Sequence, residues 1–134
     1  MNIGIIGAGN IGANLARIFT KLGLAVSIAN SRGPETLRDL ARETGATPVT
    51  PHEAARAGEL VVVTIPEKQI PGLAPDLFAG VPEHVIVVDT GNYYPQQRDG
   101  KIDAIESGTP ESAWVASQLG RPVLRPLTIF MRSI

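Results

Sequence analysis

Three glycines, Gly7, Gly9 and Gly12, and the pair Ser31-Arg32 are the residues whose types and spacing could do chemistry in this chain. The apolar run Ile3 to Ile6 is short enough to be a buried parallel strand and stops at Gly7. Behind the turn come Ile11, Leu15, Ile18 and Leu22, with Phe19 alongside, at the steps of one helical face. Gly23 closes that helix, and Leu24 to Ala29 reads as a second strand. Each glycine then has a physical task. Gly7 turns the chain out of the strand, Gly9 keeps side-chain bulk away from an approaching pyrophosphate, and Gly12 lets the helix lie close to the strand. The first amides of the helix and its dipole favour negative phosphates. The stretch Gly7-Ala8-Gly9-Asn10-Ile11-Gly12 therefore predicts a dinucleotide site.

The end of the second strand selects the dinucleotide. A carboxylate there holds the ribose 2′-hydroxyl of NAD. This chain has Asn30, Ser31 and Arg32 instead. A hydroxyl and a guanidinium can hydrogen-bond a 2′-phosphate that a carboxylate would repel, so the expected cofactor is NADP. Arg38 is open to two roles, a second guanidinium for that phosphate or a solvated loop residue.

Those residues need a frame, and 134 residues are enough for one domain with a real core. Hydrophobic residues make up 43% and charged residues 19%, an ordinary globular balance. The net charge of −1, without a basic run, argues against nucleic acid as a partner. With no cysteine, disulfides, thiolate metal sites and a cysteine nucleophile are excluded. No histidine–carboxylate cluster points to a metal. The apolar runs are strand-sized and Met1-Asn2 leads straight into the first strand, so a cytoplasmic protein without signal peptide or membrane span is expected.

Further along, Gly33-Pro34 predicts a helix start, with Leu37, Leu40 and Ala41 on its apolar face and Gly45 as its cap. Thr47-Pro48-Val49 reads as a short edge strand. Thr50-Pro51-His52-Glu53 has the form of a capping box opening a short helix that ends near Gly58. Leu60 to Ile65 is the fourth strand, ended by Pro66. A loose helix carries Ile70, Leu73 and Leu77. Val85 to Val88 is the fifth strand and leads into Asp89-Thr90-Gly91-Asn92. After a turn-rich stretch, Tyr93 to Gly108, a helix from Thr109-Pro110 carries Trp114, Val115 and Leu119. Pro122-Val123-Leu124 begins a sixth strand. The alternation predicts an α/β, Rossmann-type, doubly wound parallel sheet of order 3-2-1-4-5-6 in a single domain, with its ligand between strands one and four.

The glycine motif, Ser31-Arg32, Thr64-Ile65-Pro66 and Asp89-Thr90-Gly91-Asn92-Tyr93-Tyr94-Pro95 together resemble the F420-dependent NADP oxidoreductase family. Its bacterial reductase-like branch also resembles Arg98 to Ile102 and Gly108 to Ser112. The likeness covers residues 1–124. It implies hydride transfer between NADPH and a flavin-like or deazaflavin acceptor, with Thr64, Ile65 and Pro66 lining the nicotinamide pocket and Asn92 nearby. Pro66 could equally be a plain strand terminator. Asp89 is expected to cap a turn, and Tyr93 and Tyr94 either stack on a ring or cover the sheet end. His52 and His84 are expected at the surface, Glu67 and Lys68 in a solvated loop, and Trp114 in the core. No residue is assigned a catalytic role, because the chemistry asks mainly for two rings held together.

In that family the chain continues into a smaller helical part that completes the acceptor site and commonly a homodimer. Here residues 125–134 fit a strand poorly, since Pro126 removes a ladder donor. Family members follow Pro-Val-Leu with Lys-Ala-Phe-Asn-Asn-Ile. One choice of codons assembled to fit, AAG GCC TTT AAC AAT ATT TAT GCG CAG CAT C, encodes such a run. Without one A they read AGG CCT TTA ACA ATA TTT ATG CGC AGC ATC, which is this tail residue for residue. The expectation is an NADP-binding domain over 1–124 and a non-native, frameshifted tail over 125–134. Two other functions remain open: a non-catalytic NADP-binding sensor or regulatory module, and a hydroxyacid or imino-acid dehydrogenase domain.

Overall fold

A computed structural model describes residues 1–65, 67–90 and 111–124. Five strands form one sheet: β1 (Asn2–Ile6), β2 (Ala25–Ala29), β3 (Thr47–Pro48), β4 (Leu60–Val63) and β5 (Ile86–Asp89). Their order is β3-β2-β1-β4-β5 and every pairing is parallel. The helices between them are α1 (Asn10–Lys21), α2 (Arg38–Thr44, after a 3-10 turn over Pro34–Leu37), α3 (Pro51–Ala55) and α4 (Glu111–Leu119). A second 3-10 segment, Glu67–Gly72, follows β4. This is the doubly wound arrangement expected of the sequence.

Alternate strand residues feed two cores, as the two-residue period of a strand requires. Ile3, Ile5, Val26, Ile28 and Val62 face one layer with Leu15 and Leu37. Ile6, Val61, Val63 and Val87 face the other, with Ala54, Ile70, Leu77, Trp114 and Val115. Trp114 is a core residue, as expected. The box at α3 also forms: the Glu53 amide donates to the Thr50 hydroxyl at 3.3 Å, and the Thr50 amide to the Glu53 carboxylate at 3.0 Å.

Three expectations change in detail. The buried stripe of α1 is Gly12, Leu15 and Ala16, with Phe19 half-buried, whereas Ile18 is 42% and Leu22 68% exposed. Small residues at 12 and 16 let the helix axis approach the sheet. Each residue turns about 100° around that axis, which carries Ile18 out of the contact. The fifth strand is Ile86–Asp89, one residue later than the apolar run implies, because Asp89 still pairs opposite Val63. Of the sixth strand, the described residues carry one parallel bridge, Val88 to Leu124, rather than a strand from Pro122. There the Leu124 amide donates to the Val87 carbonyl at 2.8 Å and the Asp89 amide to the Leu124 carbonyl at 2.9 Å.

At the opposite edge, β3 is two residues long, and the Val49 amide behind it donates to the Ile28 carbonyl at 2.9 Å.

Candidate functional site

The carboxyl ends of β1, β2 and β4 open onto a cleft of about 750 Å³. At its centre β1 gives way to Gly7, whose φ of 116° is a conformation that L side chains rarely adopt. The turn is tied to both neighbouring strands. Gly7 donates its amide to the Ala29 carbonyl at 2.8 Å, and its own carbonyl accepts the Thr64 hydroxyl at 2.9 Å. Gly9 is the N-cap of α1 and no side chain caps the helix there. A Cβ on Gly9 would have nothing within 4 Å, whereas one on Gly12 would collide with the Gly7 carbonyl oxygen. The first turn of α1 carries no acidic residue. The helix therefore presents its positive end to the cleft across a residue without a side chain, which suits an anion.

The β2 end is built by Asn30. Its Oδ1 accepts the amides of Arg32 and Gly33, both at 3.0 Å, and its Nδ2 donates to the Thr36 hydroxyl at 2.9 Å. The Thr36 hydroxyl in turn donates to the Gly33 carbonyl at 2.7 Å. The asparagine is thus spent on ordering the loop that carries Ser31 and Arg32, both exposed at the cleft. This is an Asx turn, in which a short amide side chain replaces backbone acceptors. Among the described residues lining the cleft, Arg32 is the only permanent charge and there is no carboxylate.

The third wall comes from α3 and from the segment after β4. Pro51 and His52 stand there with Gln69, Gly72, Leu73 and Leu77. His52 Nε2 lies 3.0 Å from Asp76 Oδ1, and that contact is the main reason the Asp76 carboxyl sits below its ordinary range. The sequence places His52 at the surface; the fold brings it into the cleft wall, 44% exposed. The signal that locates it is the capping box, which fixes it one step into α3 beside the end of β3.

Of the residues expected from sequence, Gly7, Ala8, Gly9, Asn30, Ser31, Arg32, Thr64 and Ile65 line the cleft. Asn10, Ile11 and Gly12 form the first turn of α1 behind it. Arg38 is exposed on α2 and does not line the cleft. Asp89 is fully buried at the end of β5. Pro66, Asn92, Tyr93 and Tyr94 lie outside the described residues, as does the stretch 125–134.

A parallel sheet with a glycine turn and an uncapped helix start at its switch point defines an α/β dinucleotide-binding domain. Residues 2–93, more than half of the chain, match the family described as NADP oxidoreductase, coenzyme F420-dependent, and the protein belongs to it. Among solved structures, it is similar to a hypothetical protein, SMa0349, from Sinorhizobium meliloti. The two share 29% identity and a TM-score of 0.74, over 96% of this chain and 62% of that one. A candidate F420-dependent NADP-reductase from Arthrobacter sp. FB24 has the same fold at 18% identity and a TM-score of 0.70, over 94% of this chain and 62% of its own. An imine reductase from Pseudomonas sp. shares the fold at 22% identity and a TM-score of 0.58, over 90% of this chain and 38% of its own. The chain thus spans less than two thirds of the length of these relatives. No curated protein matches it. No helix among the described residues is long and apolar enough to cross a membrane.

Proposed function

We propose that the chain is the NADP(H)-binding domain of a cytoplasmic oxidoreductase that moves hydride between NADPH and a flavin-like or deazaflavin acceptor. One observation carries the cofactor assignment. The Ser31–Arg32 loop is ordered by Asn30, and the described residues that line the cleft offer a guanidinium and no carboxylate. A 2′-phosphate meets attraction there, and the 2′-hydroxyl of NAD lacks its usual acceptor.

In this reading the pyrophosphate lies over Gly9 at the start of α1 and the ribose phosphate lies against Ser31 and Arg32. Thr64 and Ile65 bound the nicotinamide end, and the resemblance to the family assigns Pro66 and Asn92 to the same pocket. NADPH supplies the hydride, and the chain supplies position, charge and exclusion of water. Membership of the family and the likeness to the Arthrobacter protein support the acceptor class. Residues 1–124 make up the domain, and the tail 125–134 is read as frameshifted. A downstream gene sequence that encodes no continuing helical part in the shifted frame would defeat that last reading.

Two measurements on the purified chain test the function. Calorimetric titration should give clearly tighter binding of NADPH than of NADH, and equal affinities would overturn the cofactor choice. Steady-state NADPH oxidation with flavin and deazaflavin acceptors tests the hydride step. Binding without turnover would assign the chain instead to the alternative, a non-catalytic NADP-binding module.

A further inference from the structure

The His52–Asp76 pair is held in place from both sides. Thr50 and Glu53 fix the start of α3, and Pro51 stiffens its first position. Arg56 then bolts α3 to the segment that carries Asp76. Its Nη1 donates to the His52 carbonyl and to the Leu77 carbonyl, both at 2.9 Å, and its Nη2 to the Ala79 carbonyl at 2.6 Å. One guanidinium therefore sets the distance between the two members of the pair. An accidental surface contact between two long, free side chains has no such support.

The chemistry of the pair follows from its geometry. A carboxylate can only accept, so the imidazole nitrogen facing Asp76, Nε2, carries the proton. In the neutral ring the other nitrogen, Nδ1, is then an acceptor, and it has no partner among the described residues. The ring stands in a cleft wall where Pro51, Leu73 and Leu77 give an apolar surface that suits a flat heterocycle, with Gln69 as the other polar side chain. Arg32 belongs to the same cleft. A ligand whose ribose phosphate meets Arg32 carries its base on that same ribose.

We propose that His52, oriented by Asp76, reads the base of the dinucleotide by accepting a hydrogen bond at Nδ1 from the 6-amino group of adenine. The inference rests on the NADP(H) reading above and assigns His52 as a specificity residue with Asp76 as its positioning residue. Hypoxanthine carries a carbonyl at that place, which would set two acceptors against each other.

The test is a fluorescence or calorimetric titration with NADPH and with its hypoxanthine analogue. The wild-type protein should prefer the adenine form by about 3- to 10-fold, the range of one neutral hydrogen bond. His52→Leu keeps the bulk of the wall and should bring the preference close to 1. His52→Asn restores an acceptor and should recover part of it. Asp76→Asn frees the imidazole to take either tautomer and should lower the preference without abolishing binding. The side chains of His52 and Asp76 are 44% and 73% exposed and outside both cores, so the variants should fold, and thermal melts check this. No preference in the wild type, or an unchanged preference in His52→Leu, overturns the inference and leaves NADP(H) binding intact. A wild-type protein that binds neither dinucleotide overturns the functional reading and the inference with it.

Discussion

The Thr64 hydroxyl donates to the Gly7 carbonyl oxygen at 2.9 Å, so the glycine turn at the end of β1 is braced from the residue that follows β4. The same hydroxyl lies 2.8 Å from where a Cβ on Gly12 would stand. Thr64 thus keeps the strand end, the turn and the helix in register around the switch point. Thr64→Val preserves its shape and removes the bond. It should cost about 1 kcal/mol of stability, seen as a fall of about 3–5 °C in Tm, and weaken NADPH several-fold. A melt and an affinity both equal to wild type would show that the brace is idle.

Gly9 and Gly12 should respond to substitution in opposite ways. Gly9 has extended backbone angles, φ −74° and ψ −165°, and open space where a side chain would go. Gly9→Val should therefore fold normally and lose NADPH binding by roughly two orders of magnitude or more, because the valine fills the approach of the pyrophosphate. Gly12→Ala drives a methyl group into the Gly7 carbonyl and should destabilise the fold by about 1–3 kcal/mol. Circular dichroism melts alongside titrations separate the two. Unchanged affinity in Gly9→Val would place the ligand elsewhere.

Arg32→Ala should remove about 1.5–3 kcal/mol from NADPH binding, the scale of a charge-assisted hydrogen bond, and leave the weaker NADH affinity nearly untouched. Asn30→Ala should show the same selectivity in smaller measure, although Asn30 carries no charge, because Arg32 then loses the turn that presents it. Titrating both variants with both dinucleotides checks this. Loss of NADH and NADPH binding in equal degree would deny the loop a role in the choice.

The capping box supplies a pH test. The Thr50 backbone amide donates to the Glu53 carboxylate, and this bond, with that of the Thr50 hydroxyl, holds the carboxyl below its ordinary pKa. A folded pKa below the unfolded one means that the ionised form favours the native state. Its contribution is complete above the ordinary glutamate value and is lost as pH falls through the lower folded value. The Tm advantage of the wild type over Glu53→Gln should therefore be constant near neutrality and shrink on acidification. An advantage that grows with acid would contradict the box.

Much of this was legible because it is local. A glycine that turns the chain and one that lets a helix approach are chemical facts about consecutive residues, and so is the hydroxyl–proline–carboxylate start of α3. The third wall of the cleft was not legible. His52 and Asp76 are 24 residues apart and meet only after β4 has crossed between them, with Arg56 as the tie. Asn30 shows a subtler case. Its position at the end of β2 was readable from the spacing, but its side chain turns back to build the loop. Ile18 and Leu22 mark the limit of a helical stripe read from hydrophobicity alone, because the small residues Gly12 and Ala16 decide which side comes closest.

The brevity of β3 bears on how molecules of this protein behave in a crowd. Peptide groups point alternately to the two sides of a strand, and the Val49 amide points inward to Ile28. The residue before it, Pro48, therefore turns its nitrogen outward, and a proline nitrogen carries no hydrogen. At that step the margin of the sheet offers a stranger's backbone the Pro48 carbonyl but no donor, over a stretch already only two residues long. Growth of the sheet from one molecule into the next is disfavoured on this side by a single ring. Pro48→Thr would return the missing donor, and with it an open seam along which chains could recruit one another into fibrils.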